Sequence, residues 1–211
     1  MPKHLLSDRL RPAELADLLL PLSTIRALER VRAGGWSMNL LFCGPPGSGK
    51  TSAARILAGP DDYDTLEVAG VKLKDAASVS SIENFATSVS FSGGYKICVI
   101  DEADAMSKAA DRILRPLIER VSENCRFLLT ANEIDALSEP LRSRALTICF
   151  GPMDTEKDEA FARWAPRYLS KLLALGIKID EVQLRKTLDG CKWDLRMLAN
   201  HMQFGGLAKA G

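Results

Sequence analysis

Gly44-Pro45-Pro46-Gly47-Ser48-Gly49-Lys50-Thr51 matches G-x-x-x-x-G-K-[ST] at every fixed position. The apolar run Asn39-Leu40-Leu41-Phe42-Cys43 precedes it and a helical run from Ser52 to Leu57 follows. Strand, loop and helix in that order are the setting this motif requires. The residue types follow from backbone chemistry. Glycines let the loop wrap closely and aim N–H groups at phosphate oxygens, and the helix behind adds the positive end of its dipole. Lys50 is placed as a point charge for β- and γ-phosphates, and Thr51 offers its hydroxyl to Mg²⁺.

Outward from the loop, short apolar runs recur with helical or loop material between them. They are Thr65-Leu66-Glu67-Val68, Lys96-Ile97-Cys98-Val99-Ile100, Arg126-Phe127-Leu128-Leu129-Thr130 and Ala145-Leu146-Thr147-Ile148-Cys149-Phe150. Nearly continuous hydrophobic runs are what strands covered on both faces look like. Alternation of this kind predicts an α/β fold, a doubly wound parallel sheet flanked by helices. Upstream, Pro12 to Leu18 reads as a short helix with proline in its first turn. Ser23 to Arg32 reads as another, capped by Ser23, with Leu22, Ile25, Leu28 and Val31 at helical spacing and Gly34-Gly35 as its stop. From Thr155 onward the pattern is helical, broken near Gly176 and Gly190. The expected organisation is an α/β base over residues 1–150 and a small all-helical lid over 151–211.

The run Lys96 to Ile100 ends in Asp101-Glu102-Ala103-Asp104. A strand that delivers a carboxylate beside a phosphate cradle supplies what the phosphates lack, a ligand for Mg²⁺. Asp101 is the expected metal ligand, through the ion held by Thr51. Glu102 is placed to polarise an attacking water as general base. Two consecutive acids point to a hydrolase rather than a kinase, whose acceptor is a substrate hydroxyl.

With 211 residues, one large domain or one domain with a small appendage is expected. A hydrophobic fraction of 46% and a charged fraction of 26% exclude disordered and fibrous classes. No apolar run approaches the ~20 residues that span a bilayer, and the N-terminus lacks a signal-peptide core. A soluble, cytoplasmic chain is expected. Net charge is +1, from 28 Lys+Arg against 27 Asp+Glu, so any nucleic-acid contact must be a local patch or summed over copies. Five cysteines without a C-x-x-C pair suggest neither a disulfide framework nor a zinc site; Cys43, Cys98 and Cys149 read as small buried hydrophobes. His4 and His201, and Trp36, Trp164 and Trp193, read as surface or packing residues.

Taken together these features resemble the AAA+ superfamily of P-loop NTPases, and within it the ATPase subunits of sliding-clamp loaders, of the phage and archaeal/eukaryotic small-subunit type. The resemblance covers nearly the whole chain. It implies a five-stranded parallel sheet, a helical lid, ATP and Mg²⁺ as ligands, and ATP hydrolysis completed by a neighbouring subunit in a ring or partial ring. Gly44 to Thr51 is then Walker A, and Asp101-Glu102 belongs to Walker B. Leu10-Arg11-Pro12-Ala13-Glu14 resembles the N-terminal segment that borders adenine, which implicates Arg11 and Pro12 in nucleotide binding. Thr130-Ala131-Asn132 resembles sensor 1, with Asn132 orienting water or touching the γ-phosphate. Glu139-Pro140-Leu141-Arg142-Ser143-Arg144-Ala145 is similar to the Ser-Arg-Cys motif, which makes Arg144 an arginine finger worth a factor of about 10³ or more. There Ala145 replaces the cysteine, and Arg142 is read as a solvated neighbour. Trp193-Asp194-Leu195-Arg196 resembles the sensor 2 helix, with Arg196 on the γ-phosphate.

In Val71-Lys72-Leu73-Lys74-Asp75, Lys74 matches the position of a DNA-facing lysine, with Lys72 as fallback; Val79 stands where many relatives carry arginine. Clamp-loader subunits continue into a helical collar, whereas base and lid here account for all 211 residues. Three functions stay open on these grounds. The first is an ATP-hydrolysing switch that handles a sliding clamp and primer-template DNA. The second is an assembly or adaptor subunit with little turnover, and the third another AAA+ DNA-remodelling ATPase.

Overall fold

The computed structural model describes residues 5–34, 37–59, 63–90 and 94–205; His4, Gly35, Trp36 and the last six residues lie outside them. In chain order the elements are α1 (Leu6–Arg9), α2 (Leu22–Gly34), β1 (Asn39–Cys43), α3 (Lys50–Leu57), β2 (Thr65–Ala69), α4 (Ala76–Thr87) and β3 (Lys96–Asp101). There follow α5 (Lys108–Arg120), β4 (Cys125–Ala131), α6 (Glu139–Arg142), β5 (Ala145–Cys149), α7 (Lys157–Ala174), α8 (Glu181–Gly190) and α9 (Leu195–Gly205). All five expected strands form, each within one residue of its expected ends. The chain packs as two compact units. One holds Leu28–Gly44 and Ala54–Cys149; the other holds residues up to Ala27, the segment Pro45–Ala53 with the first turn of α3, and everything from Phe150.

The first unit is the sheet, with strand order β2-β3-β4-β1-β5 and every pair parallel. That order explains the burial of each strand. Central β1, β3 and β4 are buried along nearly their whole length, whereas β2 and β5, at the two edges, are partly exposed. The sequence suggested burial for Cys149, and there it is corrected: Cys149 is exposed because β5 has a neighbour on one side only. One face of the sheet is covered by α4 and α5, whose Val79, Ile82, Ala86, Leu114, Leu117 and Ile118 pack with Leu41, Cys98, Ile100, Phe127 and Leu129.

Lys96, at the start of β3, is 2% exposed yet charged. Its ammonium donates to the carbonyls of Phe85 (2.8 Å) and Ser88 (2.6 Å) and to the Ser88 hydroxyl, so it closes the C-terminal end of α4. A buried cation held by carbonyl oxygens at a helix C-terminus avoids the penalty of an unpaired charge.

The second unit is helical. Along α7 the buried residues Ala160, Phe161, Trp164, Ala165, Tyr168 and Leu172 recur at helical spacing and pack with Leu184, Leu188 and Leu198 of α8 and α9 and with Leu6, Leu10 and Leu19. Trp164 stacks on Tyr168 with ring centroids 4.3 Å apart, which places it in this core. The helix expected over Pro12–Leu18 is instead a single 3-10 turn, Leu15–Asp17. The cause is Asp17. Its Oδ2 accepts the backbone N–H groups of Ala13 and Glu14, and Arg167 and Lys171 of α7 bind the same carboxylate. Burial alone would raise its pKa, but Lys171, the Ala13 N–H and Arg167 together hold it below the ordinary value. Downstream, the Arg163 guanidinium donates to the carbonyls of Ala16, Leu18 and Leu20, so the segment is extended rather than helical.

Candidate functional site

The loop after β1, which leaves the sheet unit at Gly44 and continues in the helical unit from Pro45, has the backbone a phosphate cradle needs. Gly44 (φ 149°), Gly47 (φ 71°) and Gly49 (φ 96°) all have positive φ. The Lys50 ammonium folds onto the Pro45 carbonyl at 2.8 Å. Ser48 is buried, and its hydroxyl finds no hydrogen-bond partner among the described residues. A buried, unmatched donor beside positive-φ glycines and a helix N-terminus suits an anionic group with many acceptor oxygens. Pro45 and Ser48 also line a pocket of about 410 Å³ with Leu19, Lys157, Trp193 and Leu195. That volume is within the usual range for small-molecule sites. Arg11 and Pro12 do not line it; Arg11 is exposed and pairs with Asp8 at 3.4 Å. Leu19, eight residues later in the same segment, takes the lining place.

The turn before α9 reaches this loop. Lys192 (φ 52°) and Trp193 (φ 64°) are both left-handed, an arrangement costing roughly 1–2 kcal/mol per residue. The Trp193 indole offsets part of that cost: it donates to Asp189 at 2.9 Å and lies under the Lys157 and Arg185 cations. The double twist brings Asp194 onto the loop. Asp194 Oδ1 accepts the N–H groups of Arg196 and Met197, capping α9, while the Leu195 N–H donates to the Gly47 carbonyl at 3.2 Å. A Cβ added at Gly47 would sit 2.0 Å from Asp194 Oδ1. Arg196 occupies the first turn of α9 and is exposed.

Gly47→Ala is therefore expected to lower both the melting temperature and the affinity for a fluorescent ATP analogue. Asp194→Ala in the same chain should restore part of the loss, because the clash is gone and only the positive-φ cost and the lost cap of α9 remain. A double variant no better than Gly47→Ala alone would remove the steric explanation.

In the sheet unit, parallel pairing places the C-terminal ends of the strands along one edge, where open α/β sheets bind ligands. Gly44 lies there, its N–H donating to the Ala131 carbonyl at 3.3 Å, one residue before Asn132. Asp101 ends β3. Thr130 binds it and its neighbour together: the Thr130 hydroxyl donates to Asp101 Oδ1 (2.6 Å) and accepts the Glu102 N–H (2.9 Å). Glu102 is exposed and left-handed (φ 53°). Gly70 leaves room for that conformation, since a Cβ on Gly70 would fall 2.1 Å from the Glu102 carbonyl oxygen. Asn132 and Glu133 donate their N–H groups to Asp104 Oδ2, which fixes the loop after β4. Thr130, Asp104, Gly70 and Asp194 were not singled out for these tasks by sequence reasoning.

Arg144 precedes edge strand β5. Its Nε donates to Glu119 Oε1 at 2.7 Å, and its guanidinium also binds the Pro140 carbonyl. Arg142 is not the solvated neighbour expected. It pairs with Asp135 at 2.9 Å, is half-buried, and its Nε is buried without a partner among the described residues. Lys72 and Lys74 are both exposed beside the N-terminus of α4, which Asp75 and Ser78 cap reciprocally.

A five-stranded parallel sheet in this order, with a glycine loop after β1 and a carboxylate pair at the end of β3, defines a P-loop nucleotide-binding protein. Residues 40–152, more than half of the chain, match the family described as "ATPase family associated with various cellular activities (AAA)", and the chain belongs to that family. It is similar to the sliding-clamp-loader large subunit of Enterobacteria phage T4, 32% identical over 86% of this chain and 58% of that protein. Replication factor C small subunit 2 of Pyrobaculum arsenaticum is 32% identical over 93% of this chain and 61% of its own length. The chain thus spans about three fifths of these curated relatives. Among solved structures, the Thermotoga maritima RuvB Holliday junction branch migration motor matches with a TM-score of 0.54 and 22% identity, covering 92% of this chain and 72% of that one, a likeness of fold. No helix among the described residues is long and apolar enough to cross a membrane.

Proposed function

We propose that this chain is an ATP-hydrolysing switch that works, as a clamp-loader-like subunit, beside other AAA+ subunits in a ring or partial ring. The supporting observation is the pair Asp101–Glu102, anchored by Thr130 at the sheet edge from which the glycine loop departs. The clamp-loading part of the reading rests on the relatives named above. In it, the loop from Gly44 to Thr51 binds the phosphates, with Lys50 on the β- and γ-positions. A hydroxyl and a carboxylate, from Thr51 and Asp101, are hard oxygen donors of the kind Mg²⁺ accepts. The ion, when bound, neutralises charge that develops on the phosphates. Glu102 takes the proton of the attacking water, Asn132 orients that water, Arg196 contacts the γ-phosphate in cis, and Arg144 acts on a neighbour's site. The segment that carries Arg11 and Pro12 borders the nucleotide's base through Leu19, which lines the pocket, and Lys74 is the DNA-contact residue. The base spans residues 1–150 and the lid 151–211, in the cytoplasm.

The test is ATP turnover per subunit as a function of protein concentration, repeated with primed DNA and a sliding clamp. Turnover should rise with concentration and rise again with clamp and DNA. Flat turnover that ignores both would reject the assembly reading.

A further inference from the structure

We propose that Cys43 and Cys149 form a modification site, a thiol pair that hydroperoxide-class oxidants convert reversibly into an intrachain disulfide. The two residues are direct partners in the register of β1 and β5. Neighbouring strands lie about 4.8 Å apart, inside the Cα separation a disulfide bridges. Direct partners in a parallel pair point to the same side of the sheet, and here the two sulfurs touch, 3.4 Å apart. Access is one-sided in a useful way. Cys149 is exposed on the edge strand, while Cys43 is 8% exposed beneath it.

The remaining cysteines contrast with this pair. Cys98, Cys125 and Cys191 are buried. Burial pushes all three thiols up, Cys125 to about 12, so they stay protonated and shielded from oxidant.

The chemistry balances as follows. The Cys149 thiolate attacks the outer peroxide oxygen and the O–O bond breaks. Sulfenic acid forms at Cys149, and the peroxide's other oxygen takes up from solvent the proton that the thiol released on ionising and leaves as alcohol, or as water from hydrogen peroxide. The Cys43 sulfur then attacks Cys149 Sγ, the S–O bond breaks, and water leaves with the Cys43 proton. Two thiols are oxidised and one peroxide is reduced. Cys43 directly precedes Gly44 and Cys149 directly precedes Phe150. The bond would therefore join the two strands where the chain leaves the sheet for the phosphate loop and for the helical unit. This inference does not depend on the proposed function.

The experiment treats the full chain with hydrogen peroxide, then counts thiols after denaturation and maps peptides without reductant. Two of the five thiols should be lost, the mass should fall by two hydrogens, and one peptide should link Cys43 to Cys149. Dithiothreitol should restore both thiols. Cys149→Ser should lose none at the same dose, and Cys43→Ser should stop at a sulfenic acid on Cys149 that dimedone traps. The wild-type peptide map decides the matter even where Cys43→Ser fails to fold. A map in which Cys149 accumulates as sulfinic acid, or links only to a second chain, would overturn the proposal.

Discussion

Glu102→Gln is expected to cut ATP turnover by about 10²–10⁴-fold while nucleotide affinity stays within about twofold, the pattern of a lost general base rather than a lost binding group. The substitution preserves shape and removes only the charge. The contact that anchors this residue, its N–H on the Thr130 hydroxyl, belongs to the backbone and survives. Single-turnover hydrolysis and equilibrium binding, measured side by side, separate the two outcomes. A second variant sharpens the result. Glu102 holds a left-handed conformation, which costs roughly 1–2 kcal/mol for a residue with a side chain. Glu102→Gly should thus melt at or above the wild-type temperature while hydrolysing no faster than Glu102→Gln. Stability and activity moving in opposite directions would identify the conformation as one held for chemistry. Turnover that survives both substitutions would remove Glu102 from the reaction.

Arg144→Ala is expected to lower turnover by about 10³-fold or more without loss of nucleotide binding. Magnitudes decide between a structural and a catalytic role here. The arginine pairs with Glu119 with both side chains partly exposed, 31% and 59%. Ion pairs of that kind contribute about 0–1 kcal/mol. A thousandfold fall in rate corresponds to about 4 kcal/mol, which a surface pair cannot supply. Mixing tests the trans assignment directly. Arg144→Ala retains Lys50 and Glu102, and Glu102→Gln retains Arg144. An interface between the two therefore holds one complete site. Mixed variants should recover turnover that neither shows alone. If the mixture stays as slow as its components while the assembly still forms, Arg144 does not act across subunits.

The glycine loop and the central strands were legible because their signals are local. A fixed motif, and runs such as Lys96–Ile100 whose burial is nearly unbroken, carry their own explanation. Most of what was not legible depends on partners distant in sequence. The turn at Leu15–Asp17 replaced an expected helix because Arg167 and Lys171 of α7 claim Asp17, and Arg163 claims three carbonyls. Lys96 reads as a polar strand start until Ser88 and Phe85 surround its ammonium. The contact of Asp194 with Gly47 and the meeting of Cys43 with Cys149 likewise join residues more than a hundred positions apart. In the site, Asp101 and Glu102 follow from a strand ending in acids, whereas Thr130, which binds both, emerges only when β3 pairs with β4.

The weaving of the chain between its two units has a consequence for biosynthesis. Nearly everything the sheet requires has been made once residue 149 is translated. The helical unit is different: the Leu6 N–H binds Gln203, Arg163 binds the carbonyls of residues 16–20, and the Leu195 N–H binds Gly47. Closing loops of that length precedes any gain from the contacts they allow, so such pairings form late. A nascent chain on the ribosome would own a finished sheet well before the Leu195 N–H could reach the Gly47 carbonyl and complete the contacts of the glycine loop.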